Sequence, residues 1–167
     1  MVPPWIARWP GKSPLTPEGC AHPAVYHMLD VAAVAERLIA PFPIPPGLRD
    51  AVVLLAALHD LGKVGDSFRA MLEHGTPQAN GAHWEVSEVL LHRHDALIGA
   101  AIGGREKRRK LLYAAAAGHH GRPPLADGDR FVRMGRDLGT EAREDSAALV
   151  SAFLELWPDA SVDGLAN

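Results

Sequence analysis

A single cysteine, Cys20, stands in 167 residues, so no internal disulfide can form within the chain. That usage fits a reducing compartment, and a cytoplasmic location is expected. No apolar stretch reaches the ~18 residues that a bilayer-spanning helix needs, so no membrane contact is expected. The opening Met1-Val2-Pro3-Pro4-Trp5 lacks a basic region followed by an apolar one, so no secretory signal is expected there. Charge of one sign is also lacking: a net −3 gives no global signal for nucleic acid, and any such contact must be local. No run alternates with period two over strand length, the one Asn-Gly pair, Asn80-Gly81, lies in a polar loop over Thr76 to Ala82 and marks no hairpin, and there is no repeat or low-complexity block. Aromatic residues make up only 6%, with two tyrosines and four phenylalanines beside nine histidines. Hydrophobic content of 47% and charged content of 22% are those of an ordinary soluble domain, and the length fits one domain.

What is present centres on one stretch. Eight apolar residues, Ala51 to Leu58, lead directly into His59-Asp60-Leu61-Gly62-Lys63. A run of that kind is a buried segment, and a carboxylate at its end needs a partner, because an uncompensated buried charge is costly. Residues 1–22 hold five of the fourteen prolines and read as an extended arm, with Trp5 and Trp9 packing on the body. Pro23 opens a helix to about Ala40, on which His27, Val31, Val34 and Leu38 form one apolar stripe that turns His27 inward. A central helix covers about 46–60, with Val52, Leu55 and His59 on one face, and is broken at Gly62 and Gly65. Asp66 is the expected N-cap of a short helix, Ser67 to Glu73, ended by Gly75. His83 to about Gly103 forms one helix or two, and Lys107 to Ala117 another, stopped at Gly118. Arg122-Pro123-Pro124 leaves in an extended loop. A last amphipathic helix runs from about Glu141 to Leu156. The expected organisation is an arm over 1–22, a body over 23–157 and a tail over 158–167. The fold class is all-α, a compact helical bundle.

The histidines are ordered along these elements. His27, His59-Asp60, His83 and His119-His120 lie on separate helices or helix ends. Imidazoles sharing one carboxylate suit divalent transition ions such as Mn, Fe, Co, Ni or Zn, whereas calcium prefers all-oxygen shells. Each signal alone has a plainer explanation: a hydrogen-bonded core histidine, an internal ion pair, or cations at a helix C-terminus. Their joint occurrence favours a metal site. Adjacent ligands diverge by about 100° on a helix, so the two pairs serve better at helix ends, where the neighbouring glycines give freedom. Two ions ~3.5–4 Å apart can share a bridging carboxylate and clamp a phosphodiester for in-line attack. His22, His74, His92 and His94 read as surface or loop residues. Arg105, Lys107, Arg108, Arg109 and Lys110 form a basic run that is either a DNA phosphate-contacting patch or a solvated helix start.

The ordered set His59-Asp60-x-Gly62-Lys63, His83-x-Glu85-x-Ser87 and Gly118-His119-His120-Gly121-Arg122-Pro123-Pro124 resembles the HD nuclease domain of the CRISPR-associated type I interference helicase–nuclease. That domain lies within the HD superfamily of metal-dependent phosphohydrolases. Trp9-Pro10-Gly11-Lys12-Ser13 and His27-x-x-Asp30-x-Ala32-x-x-Ala35 are similar to its beginning. The resemblance implies an HD-type helical bundle that cleaves single-stranded DNA with one or two metal ions. It also implies helicase domains or a helicase subunit as partners, and a guide-RNA surveillance complex that opens the target. It assigns one ion to His27, His59 and Asp60, and a second to Asp60, His83, His119 and His120, with Asp60 bridging. Lys63 would neutralise the scissile phosphate, so Asp60 and Lys63 are the expected catalytic pair. Glu85 and Ser87 stay outside the ligand set. The family also has a distal aspartate at the first ion. Asp145, Asp159 and Asp163 do not sit in its sequence context, and a domain lacking its C-terminal part is expected. Two rivals share parts of the pattern: an HD phosphohydrolase of small nucleotides, and a docking module without catalysis.

Overall fold

Proline sets where the first helices begin. Its fixed φ and missing N–H cost nothing in a helix's first turn, where the N–H has no intrahelical partner. In the computed structural model, which describes residues 3–14, 19–78, 80–121, 128–136 and 138–165, α1 spans Pro4–Arg8 and carries proline in its first turn. Pro23 caps α2 (Ala24–Ile39), and Pro45 caps α3 (Pro46–Ala57), which itself starts on Pro46. A 3-10 turn, Leu58–Lys63, follows α3. The remaining helices are α4 (Asp66–His74), α5 (His83–Arg93), α6 (Asp95–Ile102), α7 (Glu106–Ala117), α8 (Gly128–Arg136) and α9 (Thr140–Leu156). A second 3-10 turn, Gly118–His120, closes α7. The fold is all-α. Its minor sheet pairs β1 (Pro10–Lys12) antiparallel with β2 (His22–Pro23), too short for the period-two test to register. No helix among the described residues is long and apolar enough to cross a membrane.

One core joins these elements. Trp9, Met28, Leu54, Leu58, Leu61, Leu90, Leu91, Ile98, Tyr113, Leu149 and Phe153 are fully buried in it. The segment before α2 is stitched down rather than free. The Trp9 indole N–H donates to Asp145 on α9 at 2.8 Å, and Arg8 reaches the same oxygen at 3.0 Å. The chain after α9 is also held: Ala160 and Val162 are buried, and the Val162 N–H donates to the Ile102 carbonyl at 2.8 Å.

Several local expectations change. Val34 and Leu38 are exposed, and α2 buries Ala24, Val25, Met28 and Ala32 instead, so His27 lies at the edge of the buried face. Val52 is exposed, and His59 stands on the 3-10 turn rather than on α3. Asp66 is the first helical residue of α4, behind Gly65 at the cap, and its carboxylate pairs with Arg69 at 2.8 Å. His83 to Gly103 is two helices broken at His94. His92 and His94 are not surface residues. The His92 ring meets Tyr113 and Phe131 edge-on, and His94 bonds Ser146 at 3.0 Å, facing α8 and α9. Burial lowers the His94 pKa. Helix α8 was not expected from the sequence. The loop expected at Arg122-Pro123-Pro124 lies outside the described residues.

The junction of α6 and α7 is held by ions. Both Asp95 oxygens accept from Arg109 at 2.7 Å, and the Tyr113 hydroxyl donates to Asp95 at 2.8 Å. Arg109 chiefly, with Tyr113, holds the Asp95 carboxyl below its usual range against the opposing effect of burial. A depressed carboxyl stabilises the fold above its unfolded pKa, near 4, and that contribution is lost as pH falls through the folded value. Asp95→Asn should therefore cost about 2 kcal/mol at pH 7. The gap between wild type and variant in urea unfolding should shrink below about pH 4. A gap independent of pH would show that the ion pair is not its source.

Candidate metal centre

The buried run of α3 ends at Ala57, and the 3-10 turn that follows places all six of its residues out of solvent. Asp60 departs from helical geometry there, at φ −106° and ψ 23°. That kink resolves the divergence of adjacent ligands. His59 Nε2 lies 3.1 Å from Asp60 Oδ2, so neighbours in sequence aim at one point.

Asp60, with a side chain only 3% exposed, is the hub. Its Oδ2 faces His27 Nε2 at 3.0 Å, His59 Nε2 at 3.1 Å and Lys63 Nζ at 2.7 Å. Its Oδ1 faces His119 Nε2 at 3.2 Å and His83 Nε2 at 3.4 Å. His120 Nε2 lies 3.2 Å from His83 Nε2. The ligand atoms of His27, His59 and Asp60 fall within 4.8 Å of one another, as do those of His83, His119 and His120. All six expected ligands and Lys63 thus meet in one place, brought from α2, the first 3-10 turn, the first residue of α5 and the second 3-10 turn.

The donor chemistry fits divalent transition ions. His59 Nδ1 lies 2.7 Å from the Ala56 carbonyl, and His119 Nδ1 lies 3.1 Å from that of Ala116. A carbonyl only accepts, so each Nδ1 carries a proton, and in the neutral imidazole the Nε2 lone pair is left for a metal. Those lone pairs point at a carboxylate, which is repulsive unless a cation stands between them. Asp60 Oδ1 is enclosed and receives no hydrogen bond. Burial pushes the His83 pKa down to about 4 and lowers that of His27, keeping both imidazoles neutral as ligands must be. Burial would raise the Asp60 carboxyl, but His119, His59 and Lys63 beside it outweigh that effect and hold it far below its usual range. At His119, burial works against protonation and Asp60 overrides it, so its pKa rises.

Packing of α5 against the first 3-10 turn sets the spacing between the two halves. At Gly62 an added Cβ would lie 1.9 Å from the His83 carbonyl oxygen and 2.5 Å from the Ser87 nitrogen. The glycine is there for close approach, not for chain freedom. Ser87 Oγ accepts from the Gly62 N–H at 2.8 Å and donates to the His83 carbonyl at 3.1 Å, tying turn to helix. Glu85 accepts from the Ala82 N–H at 2.9 Å and caps the start of α5. Phe68 packs edge-on to His83, with ring centroids 5.1 Å apart, a neighbour that no spacing rule signals.

Other candidates lie elsewhere. The basic run occupies the start of α7, roughly 15–20 Å along the axis from His119. Arg109 is committed to Asp95, Arg108 to the Leu165 carbonyl, and Lys110 to Glu106 at 2.6 Å. Arg105 and Lys107 are exposed. The run is therefore not one patch beside the centre, because the helix carries its charges away from His119 and spends three of them on structure. Asp145 holds Arg8 and Trp9, and Asp163 accepts from the Gly104 N–H at 2.7 Å, beyond the far end of α7. No distal aspartate joins the histidines among the described residues.

Gly62→Ala should cost about 3 kcal/mol, because the clash is with backbone rather than a flexible side chain. Ni2+ stoichiometry should fall with it as α5 is displaced. A variant that melts as wild type and binds the same Ni2+ would show that this contact does not set the centre's geometry.

Comparison with known proteins gives the family and the fold. The model of the family "Cas3, HD domain" matches residues 9–166. The crystal structure of the Thermus thermophilus cas3 HD domain in the presence of Ni2+ superposes with a TM-score of 0.62 at 25% identity, over 93% of this chain and 69% of that one. No curated protein matches. With a family match across nearly its whole length and a fold shared with that domain, the chain belongs to the Cas3 HD-domain family of CRISPR-associated nuclease domains.

Proposed function

We propose that this domain is a metal-dependent deoxyribonuclease that hydrolyses phosphodiester bonds of single-stranded DNA during CRISPR interference. The observation that carries the reading is the buried Asp60 carboxylate, with imidazole Nε2 atoms aimed at both of its oxygens. Asp60 Oδ2 with His27 and His59 makes one donor set; Asp60 Oδ1 with His83, His119 and His120 makes the other. Divalent ions of the Mn, Fe, Co, Ni or Zn class, when bound, supply Lewis acidity toward water and the phosphodiester. The similar Thermus domain, crystallised in the presence of Ni2+, supports that choice of class.

The chain's own residues do the rest. The Nδ1 protons of His59 and His119, held by carbonyls, fix ring orientation and keep each Nε2 available. Lys63, its ammonium at the centre and its stem buried, supplies positive charge against the developing charge of the phosphate. His119 and His120 are exposed, so the centre opens to solvent on that side and suits a passing strand better than an enclosed nucleotide. Cas3-type interference joins such a domain to helicase partners. In the reading proposed here, the helicase feeds a single strand to the centre after a guide-RNA complex opens the duplex, in the cytoplasm.

Purified protein with Mn2+, Co2+ or Ni2+ should cleave single-stranded DNA, and His59→Ala and Asp60→Ala should each lower the rate by about 100-fold or more. Metal bound stoichiometrically without cleavage would reject an active nuclease in favour of a catalytically incomplete one, and neither metal nor cleavage would favour a docking role. Faster turnover of mononucleotides than of strands would favour the nucleotide phosphohydrolase.

A further inference from the structure

The four tryptophans of the chain divide by what they pack against. Trp9 is buried in the core, and Trp5 and Trp157 lie partly buried against it. Trp84 is half-buried and, among the described residues, stands outside that core. Its position is the first turn of α5, immediately after His83. Its indole sits beside the His120 imidazole, with ring centroids 6.1 Å apart and planes inclined at 43°. His120 in turn is exposed and stands at the outer side of the second donor set.

A large aromatic side chain gives most to stability when its full area is removed from water. At this position part of the area stays accessible and the indole meets the His120 ring, so core packing among the described residues does not account for the residue. Helix propensity does not favour tryptophan there either. An indole at the open rim of a phosphodiester-binding centre matches what unpaired bases require. Each base has a π-face, stacking on an aromatic side chain is sequence-tolerant, and it strengthens binding appreciably for each base held.

We propose that Trp84 is a substrate-positioning residue: its indole stacks on a nucleobase flanking the scissile phosphate, on the His120 side of the centre. The inference rests on the reading of the centre as a single-strand nuclease and deepens it. Asp60, the histidines and Lys63 deal with the phosphate, which every strand carries, whereas Trp84 engages the base. In a duplex the faces of each base are covered by its stacked neighbours, so this contact is open only to an unpaired strand. Trp84 thereby contributes to the choice of single strand over duplex without reading sequence.

The test compares wild type, Trp84→Leu and Trp84→Phe on oligo-dT and on an oligonucleotide with abasic residues around the cleavage point. Wild type should prefer the base-bearing strand about ten-fold in kcat/KM, mostly through KM. Trp84→Leu, which keeps bulk without a π-face, should bring that preference to about one, and Trp84→Phe should restore most of it. Ni2+ stoichiometry and melting temperature, measured in parallel, should match wild type in both variants. Binding of a phosphorothioate oligo-dT should quench tryptophan fluorescence in wild type and much less in Trp84→Phe. An unchanged preference in Trp84→Leu, with wild type cleaving normally, would overturn the stacking role alone. Loss of Ni2+ or of stability in both variants would assign Trp84 a structural role instead. A wild type that neither binds nor cleaves either strand would overturn the nuclease reading, and the stacking role with it.

Discussion

A carboxylate removed from water must find its compensation inside the protein, and Asp60 imposes that demand on the whole molecule. The penalty for such a group is several kcal/mol, and it is repaid only when geometry and charge are both right. Here compensation comes directly from Lys63, and imidazoles from four separate segments gather around the same carboxylate, where a bound cation would complete it. The order of helices follows from it. Helix α2 passes close enough to deliver His27, α5 begins where His83 is needed, and α7 ends where His119 and His120 are needed. The apolar run of α3 then anchors the turn that carries Asp60 itself.

Much of this could be read from sequence because the signals are local. A charged pair at the end of an apolar run, a His-His pair after a glycine stop, and proline or glycine at element boundaries each follow from short-range chemistry. The helices are legible for that reason, and the histidines and aspartate those signals single out lie close together in the fold. Failures came where tertiary context decides. The buried face of α2 is rotated from the apolar stripe because Val34 and Leu38 face solvent. His92 looks like a surface residue only while α8 goes unseen, and His94 only until α9 brings Ser146 against it. The two-stranded sheet is smaller than any periodicity test.

Glycine and charge misled in instructive ways. A glycine near a ligand pair suggests chain freedom, yet Gly62 serves contact: the α5 backbone lies where a side chain would be. Five basic residues before a ligand-bearing helix suggest a DNA path, yet helical rise carries them to the opposite end, and Arg109 is locked with Asp95 and Tyr113. In both cases the residue type was informative and its partner was not. Partners belong to the fold.

The ion pair between Lys63 and Asp60 has a consequence for the order of assembly. In small metal-stabilised domains the ligands cannot be packed together until the ion arrives, so folding waits for metal. Here the carboxylate at the hub already has an ammonium at 2.7 Å, supplied three residues along the same turn. The chain thus carries its own counter-ion. Collapse of the core and loading of the centre become separable events, and the polypeptide can reach its native topology before it has secured any metal.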